Sequence, residues 1–183
     1  GKTTLADILA QELQAKAIYE DYHGNPFLAE SFQGAEELFL PSQLYFLMSR
    51  VKQLSTDTWP SEGIQVSDYG FCQDRLYAKI KLTDKDFHLY EHVSRQVESH
   101  VIQPNVLIHL DASVDTLLSR ITERGREFES AYSAEYIGRL RAEHFDVSVP
   151  PECVLLSVDG ERVDIRNETQ TAKLIERIRE VVA

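Results

Sequence analysis

Apolar residues follow two alternating spacings along the chain. Short apolar runs, typical of buried strands, occupy residues 17–19, 64–66, 106–110 and 154–158. Between these runs, apolar residues recur every three or four positions, which predicts helices. The predicted helices cover residues 2–15, 41–54, 73–81, 84–102, 113–123, 133–146 and 168–181, and another begins near Pro26. This alternation predicts an α/β domain in which helices cover both faces of a parallel sheet.

Acidic residues follow each of the four predicted strands: Glu20, Asp68, Asp111 and Asp159. Ligands of parallel α/β sheets bind beyond the carboxyl ends of the strands. Carboxylates collected at that edge suit Mg²⁺ binding and proton transfer. We therefore assign Glu20 and Asp68 to a functional site. For Asp111, which stands just before a predicted helix, we expect a capping role instead.

The chain begins with Gly1-Lys2-Thr3-Thr4, which matches the second half of the phosphate-binding motif G-x-x-x-x-G-K-[ST]. In that motif, N–H groups at a helix N-terminus bind phosphate oxygens, the lysine reaches the β- and γ-phosphates, and the hydroxyl ligates Mg²⁺. We expect all four residues to bind ATP, and Thr3 together with Asp68 to hold Mg²⁺. We also expect a truncated N-terminus: the first strand, central in a five-stranded sheet, is missing from this chain.

Composition narrows the class of protein. With 183 residues, of which 43% are hydrophobic, the chain can bury the core of a single domain. The net charge of -11 argues against a surface that coats nucleic acid. The two cysteines and six histidines have no metal-binding spacing. No apolar run reaches membrane-spanning length and no signal peptide is visible, so we expect a cytoplasmic protein without a membrane partner; a homodimer is compatible with the sequence.

Four segments, in the right order, resemble the deoxynucleoside kinase family, and in particular its bacterial deoxyadenosine/deoxyguanosine kinase branch. They are residues 19–28 with the run Asn-Pro-Phe-Leu, residues 41–50, residues 67–79 and residues 120–129. The resemblance implies a P-loop kinase fold. It also implies one deoxynucleoside kinase domain over residues 1–183, with a lid at about 120–130.

The resemblance implies the catalytic roles. Glu20 matches the general base, which takes the proton of the substrate's 5′-hydroxyl. Asp68 matches the acidic residue that holds Mg²⁺ or orients the 5′-oxygen. Arg120, Arg124 and Arg126 match the lid arginines, which close over ATP and stabilise the negative charge that spreads over the phosphoryl group during transfer.

The resemblance also implies a deoxynucleoside site. Gln43 matches the residue that pairs with the base edge, Asp74 helps to select the base, and Glu129 accepts a hydrogen bond from the 3′-hydroxyl. Phe32 stands where the family often has a tyrosine that contacts the sugar; it can pack on the sugar but cannot bind the 3′-hydroxyl. Arg50 shares a helix face with Gln43, so we expect it to contact the substrate as well, and Phe71 is the aromatic residue that we expect to stack on the base. Because adjacent helical residues face different directions, we expect only one of Asp74 and Arg75 to touch ligand.

Two adjacent positions depart from the family pattern. Tyr69 stands where an arginine is expected, and Gly70 stands where a serine is expected. One positive charge near the transferred phosphoryl group is therefore missing, or it comes from elsewhere in the chain.

The predicted function is ATP- and Mg²⁺-dependent phosphorylation of the 5′-hydroxyl of a deoxynucleoside. A purine is favoured, because its exocyclic amino group gives an acceptor such as Asp74 something to bind. Two alternatives stay open. One is a thymidylate-kinase-like nucleoside monophosphate kinase, with Arg50 binding the acceptor phosphate. The other is a non-catalytic P-loop module, although the GTPase motif N-K-x-D is absent.

Overall fold

The computed structural model describes residues 1–126, 129, 132–145, 148–165 and 167–182. Four strands are present: β1 (Lys16–Ile18), β2 (Gln65–Ser67), β3 (Val106–Asp111) and β4 (Val154–Asp159). The α-helices are α1 (Lys2–Glu12), α2 (Leu28–Phe32), α3 (Phe39–Gln53), α4 (Phe71–Lys81), α5 (Asp84–Val97), α6 (Val114–Arg124), α7 (Ala134–Phe145) and α8 (Glu168–Val182). Short 3₁₀ turns cover Glu36–Leu38 and Glu98–His100. The α/β alternation predicted from the sequence is confirmed.

The strands form two parallel pairs. β1 pairs with β2, with Lys16 opposite Gln65. β3 pairs with β4 in a six-residue register that runs from Val106 opposite Val154 to Asp111 opposite Asp159. Within the described ranges no strand joins the two pairs, and β2 and β3 border the same cleft. The fifth, central strand expected from the sequence remains a prediction, and it cannot lie between the strands that end at Glu20 and Asp68, because β1 and β2 pair directly with each other.

Among the described residues, two of three apolar clusters matter most for the helices around this cleft. The first joins α1, β4 and α8 through residues such as Leu5, Leu156 and Ile175. The second joins α3, α4 and α5 through Leu47, Ala78 and Tyr90, all of which are fully buried. Because close-packed interiors resist displacement, the second cluster fixes the helix faces that carry the predicted base-binding residues.

The starts of α3 and α2 differ from the prediction for local reasons. α3 begins at Phe39, two residues before Pro41. Proline is tolerated there because the first turn of a helix needs no internal N–H donors. α2 begins at Leu28 rather than near Pro26. The side chain of Asn25 accepts a hydrogen bond from the backbone N–H of Phe27 at 3.1 Å, which holds this stretch in a turn.

No helix within the described part of the chain combines the length and the apolar character that crossing a bilayer requires.

Candidate active site

The N-terminus of α1 and the ends of β1 and β2 meet at Asp68. The Thr3 hydroxyl donates to Asp68 Oδ2 at 2.7 Å, and the backbone N–H of Glu20 donates to Asp68 Oδ1 at 3.0 Å. Gly1 caps α1, and its carbonyl accepts the first helical hydrogen bond, from Leu5, at 2.9 Å. The structure thus brings the GKTT segment and the two strand-end acids together, as the sequence predicts.

Glu20 is buried in this cleft, with 8% of its side chain exposed, and pairs with the guanidinium of Arg50. Burial opposes ionisation of the Glu20 carboxyl. The attraction of Arg50, hydrogen bonds from Arg50 and Tyr22, and the charge of Lys2 outweigh it, so the pKa of Glu20 lies below its ordinary value. At neutral pH the side chain is therefore a carboxylate that can accept a proton.

Lys2 lies in the same cleft as Glu20, Asp68 and the first residues of α1, including Thr4. Its side chain is open to the cleft, but surrounding protein removes water from the ammonium group and lowers its pKa. Attraction to Glu20 and Asp68 opposes that shift. A cation thus stands beside the two acids where the sequence predicts the phosphates to bind.

Arg50 and Asp74 form the other end of the cleft, and both are almost fully buried. Arg50 donates to Asp74 as well as to Glu20. The Tyr90 hydroxyl donates to Asp74 Oδ2 at 2.6 Å. Burial raises the pKa of the Asp74 carboxyl, and attraction to Arg50 and the hydrogen bond from Tyr90 oppose that rise. Tyr90 was not singled out in the sequence analysis, because the carboxylate to which its hydroxyl donates lies sixteen residues away.

The predicted base and sugar contacts line this same cleft. Gln43 is 4% exposed, and its Oε1 atom has no hydrogen-bond partner among the described residues. Because buried polar atoms are rarely left unpaired, this oxygen is available to a ligand. Phe32 and Phe71 border the cleft nearby. The Lys81 ammonium lies 3.8 Å from the centroid of the Phe32 ring, and burial lowers its pKa to about 8.

The described lid residues are tied together through Glu129, which is buried. Arg124 donates to Glu129 Oε2 at 2.6 Å, and Arg126 contacts Oε1 at 3.4 Å. The Arg126 guanidinium also lies 4.5 Å from the ring centroid of Tyr22, a residue that the sequence did not single out. Residues 127, 128 and 130 of the predicted lid lie outside the described residues. The structure thus gathers two lid arginines at the cleft.

Arg120, also predicted to bind ATP, borders the cleft one turn before Arg124. Its Nη2 donates to the carbonyl of Gly160 at 2.8 Å. The segment after β4 therefore approaches the lid.

Two charged residues discussed in the sequence analysis, Arg75 and Asp111, form ion pairs within the protein. Arg75 lies on the outer face of α4, where it pairs with Glu91 at 2.6 Å. Of the neighbouring residues Asp74 and Arg75, Asp74 is therefore the one that borders the cleft.

Asp111 does not cap α6, and that prediction is wrong. Asp111 is the last residue of β3, and its carboxylate receives two hydrogen bonds of 2.7 Å from Arg141 on α7. Ser113 caps the helix instead.

Comparison with known proteins identifies a family and several relatives that this chain resembles. A family model described as deoxynucleoside kinase matches residues 1–183. The chain is 29% identical over 192 residues to a deoxyguanosine kinase of Bacillus subtilis, covering 100% of this chain and 92% of that protein. It is 27% identical over 192 residues to a deoxyadenosine/deoxycytidine kinase of the same organism, covering 100% and 88%.

Solved structures give the same fold. A deoxyadenosine kinase from M. mycoides, determined with the products dCMP and dCDP, superposes with a TM-score of 0.83. The two chains are 21% identical, and the match covers 99% of this chain and 94% of the other. The same enzyme with bound dATP gives a TM-score of 0.80. The P-loop kinase fold predicted from the sequence is confirmed.

Proposed function

We propose that this chain, which belongs to the deoxynucleoside kinase family, transfers the γ-phosphoryl group of ATP to the 5′-hydroxyl of a purine deoxynucleoside. The chain is a kinase, as its family establishes. One observation carries the proposal: Asp68 joins Thr3 of the phosphate-binding segment to Glu20, in a cleft that also contains Lys2. Phosphoryl transfer needs these elements side by side, because its catalysis consists mainly of positioning and charge stabilisation.

The residues at the start of α1 suit the phosphates of ATP. Gly1, Lys2, Thr3 and Thr4 border the cleft at a helix N-terminus, where N–H groups and the helix dipole favour anions. Arg120 borders the same cleft and would add a positive charge.

The same region fits Mg²⁺. Thr3 and Asp68 offer a hydroxyl and a carboxylate oxygen 2.7 Å apart, and hard oxygen ligands of this kind suit the ion. Mg²⁺ usually uses one or two carboxylates together with water and substrate phosphates. This agrees with the lack, among the described residues, of any cluster of three His, Cys, Asp or Glu side chains. When bound, the ion would neutralise charge on the β- and γ-phosphates.

Glu20 is the proposed general base. Its carboxylate is ionised, buried and beside the phosphate-binding segment, so it can take the proton of a 5′-hydroxyl held in the cleft. Arg124 and Arg126 are the proposed cations that stabilise the phosphoryl group in flight. Both now contact Glu129, which we propose accepts a hydrogen bond from the 3′-hydroxyl of the sugar.

Arg50 argues against a nucleoside monophosphate as the acceptor. A monophosphate kinase would use this arginine to bind the acceptor phosphate. Its guanidinium is instead buried and engaged by the carboxylates of Glu20 and Asp74. The buried charge is thus neutralised within the chain, which favours an uncharged nucleoside at this end of the cleft.

The purine preference rests on the polar groups beside Arg50. Gln43 offers an unpaired amide oxygen, and Asp74 is a buried acceptor. Both would bind the exocyclic amino group of a purine, which thymine lacks. The relative named after deoxyguanosine is consistent with a purine substrate, and the other is named after both deoxyadenosine and deoxycytidine, two nucleosides that carry an exocyclic amino group. Phe32 and Phe71 would supply the apolar walls against sugar and base.

Asp74→Ala should narrow the preference for purines over thymidine. A site that binds polar groups rejects substrates that leave those groups unpaired, and such discrimination is weakened when the acceptor is lost. We expect the ratio of kcat/KM for deoxyadenosine or deoxyguanosine to that for thymidine to fall by about tenfold or more. Steady-state kinetics of the full-length protein with the four deoxynucleosides measures this ratio. Asp86→Ala, in the first turn of α5 and outside the cleft, is the matched control. An unchanged ratio would remove Asp74 from base recognition.

A further inference from the structure

Arg50 contacts both ends of the cleft. It donates from Nη2 to Glu20, the proposed base, and from Nη1 to Asp74, the proposed base-reading acid. Its guanidinium lies 5.7 Å from the ring centroid of Phe46 and 5.3 Å from that of Tyr69. Tyr69 occupies the position where the family resemblance places an arginine. Tyr69 therefore packs against a cationic side chain that comes from α3.

We propose that Arg50 is a positioning residue, which holds the Glu20 carboxylate in place for proton transfer and couples it to Asp74 in the base subsite. This inference rests on the proposed function, because it assumes that Glu20 is the general base. It goes further by assigning to one arginine a link between base recognition and the chemical step.

The shape of the guanidinium makes the link possible. Its two terminal amino groups are fixed in one plane, so Arg50 holds Glu20, in the loop after β1, at a set position relative to Asp74 on α4. All three side chains are more than nine-tenths buried, so no solvent competes for these contacts. A lysine ammonium is a single point charge and cannot hold two carboxylates in the same way.

Other groups around Glu20 do not duplicate this contact. The charged and titratable side chains that act on Glu20 or surround it are Lys2, Tyr22, Arg50, Asp68, Tyr69, Asp74 and Tyr77. Among these, Lys2 and Arg50 are the cations, and Lys2 lies at the phosphate-binding end. Only Arg50 in this group also contacts Asp74 with a charged donor.

Arg50→Lys tests the proposal, because it keeps the positive charge and removes the planar guanidinium that contacts Glu20 and Asp74 at the same time. We expect kcat to fall by about 10- to 100-fold at saturating ATP and nucleoside, since small displacements of a catalytic group have effects of this size. The KM for ATP should stay unchanged. In a Glu20→Gln background the additional loss of kcat should shrink to less than about threefold, because no base is left to position. Arg75→Lys, whose pair with Glu91 lies outside the cleft, is the matched control.

The outcomes separate the two proposals. If Glu20→Gln alone leaves kcat unchanged, the assignment of the general base fails. If Glu20→Gln lowers kcat as expected but Arg50→Lys has no effect, or has the same effect in both backgrounds, the base stands and the positioning role of Arg50 is refuted. Thermal melting of each variant shows whether it folds. Should Arg50→Lys not fold, Asp74→Ala removes the contact between Arg50 and Asp74 instead, and its loss of kcat should likewise disappear in the Glu20→Gln background.

Discussion

Glu20→Gln should lower kcat by about 10²- to 10⁴-fold, the range for loss of a general base. Glutamine keeps the size of the side chain and can still contact Arg50, but its amide cannot take the proton of the 5′-hydroxyl. The affinity for ATP should stay close to that of the unaltered protein, because Glu20 contacts Arg50 rather than the phosphate-binding segment. Steady-state turnover with saturating substrates, together with calorimetric titration of ATP, measures both quantities in the full-length protein.

Glu91→Gln is the matched control for this substitution. Glu91 also pairs with an arginine, Arg75, but outside the cleft, so its replacement should leave kcat within about twofold. An unchanged kcat for Glu20→Gln would place the general base elsewhere. Asp68, which accepts from the backbone of Glu20, would then be the next candidate.

Arg124→Ala should lower kcat by about 10²- to 10³-fold while raising the nucleoside KM much less. The arginine is needed when negative charge spreads over the phosphoryl oxygens, and it contributes less to ground-state binding. Arg126→Ala should act in the same direction. Both side chains reach Glu129 at the cleft, so either can approach a phosphoryl group there.

Arg95→Ala is the control for the lid substitutions. Its side chain is 72% exposed on α5 and pairs with Glu91 far from the lid segment, so we expect no change in kcat or KM. A nucleoside KM that rises as much as kcat falls for Arg124→Ala would assign this residue to substrate binding instead of phosphoryl transfer.

The order of strands and helices could be predicted because the apolar residues of each helix recur every three or four positions, whereas those of each strand form a short continuous run. The same reasoning located Glu20 and Asp68, since parallel strands end at one edge of a sheet. In the structure the backbone N–H of Glu20 donates to the carboxylate of Asp68, and the Thr3 hydroxyl donates to the same carboxylate. Element boundaries were less accurate where a single backbone conformation decides them. α1 ends at Glu12 because Gln14 adopts a positive φ of 52°, which the apolar period does not reveal.

Contacts between side chains on different elements could not be predicted. Arg50 was expected to bind substrate, but its hydrogen bonds to Glu20 and Asp74 depend on how α3 packs against α4. Tyr90 occupies an apolar position of α5, and such a residue is normally assigned to the core. Asp111 was expected to cap a helix from its place before Ser113. It binds Arg141 instead, because α7 packs within reach of the end of β3.

The central claim is tested most directly by the acceptor that the full-length protein phosphorylates. With ATP and Mg²⁺, kcat/KM is measured for deoxyadenosine, deoxyguanosine, deoxycytidine, thymidine and dAMP. We expect one of the two purine deoxynucleosides to lead, with the phosphate found on the 5′-oxygen, and dAMP not to be an acceptor. Preferred phosphorylation of dAMP would contradict the account of a nucleoside kinase, and preference for thymidine would contradict the assignment of Gln43 and Asp74 to purine recognition.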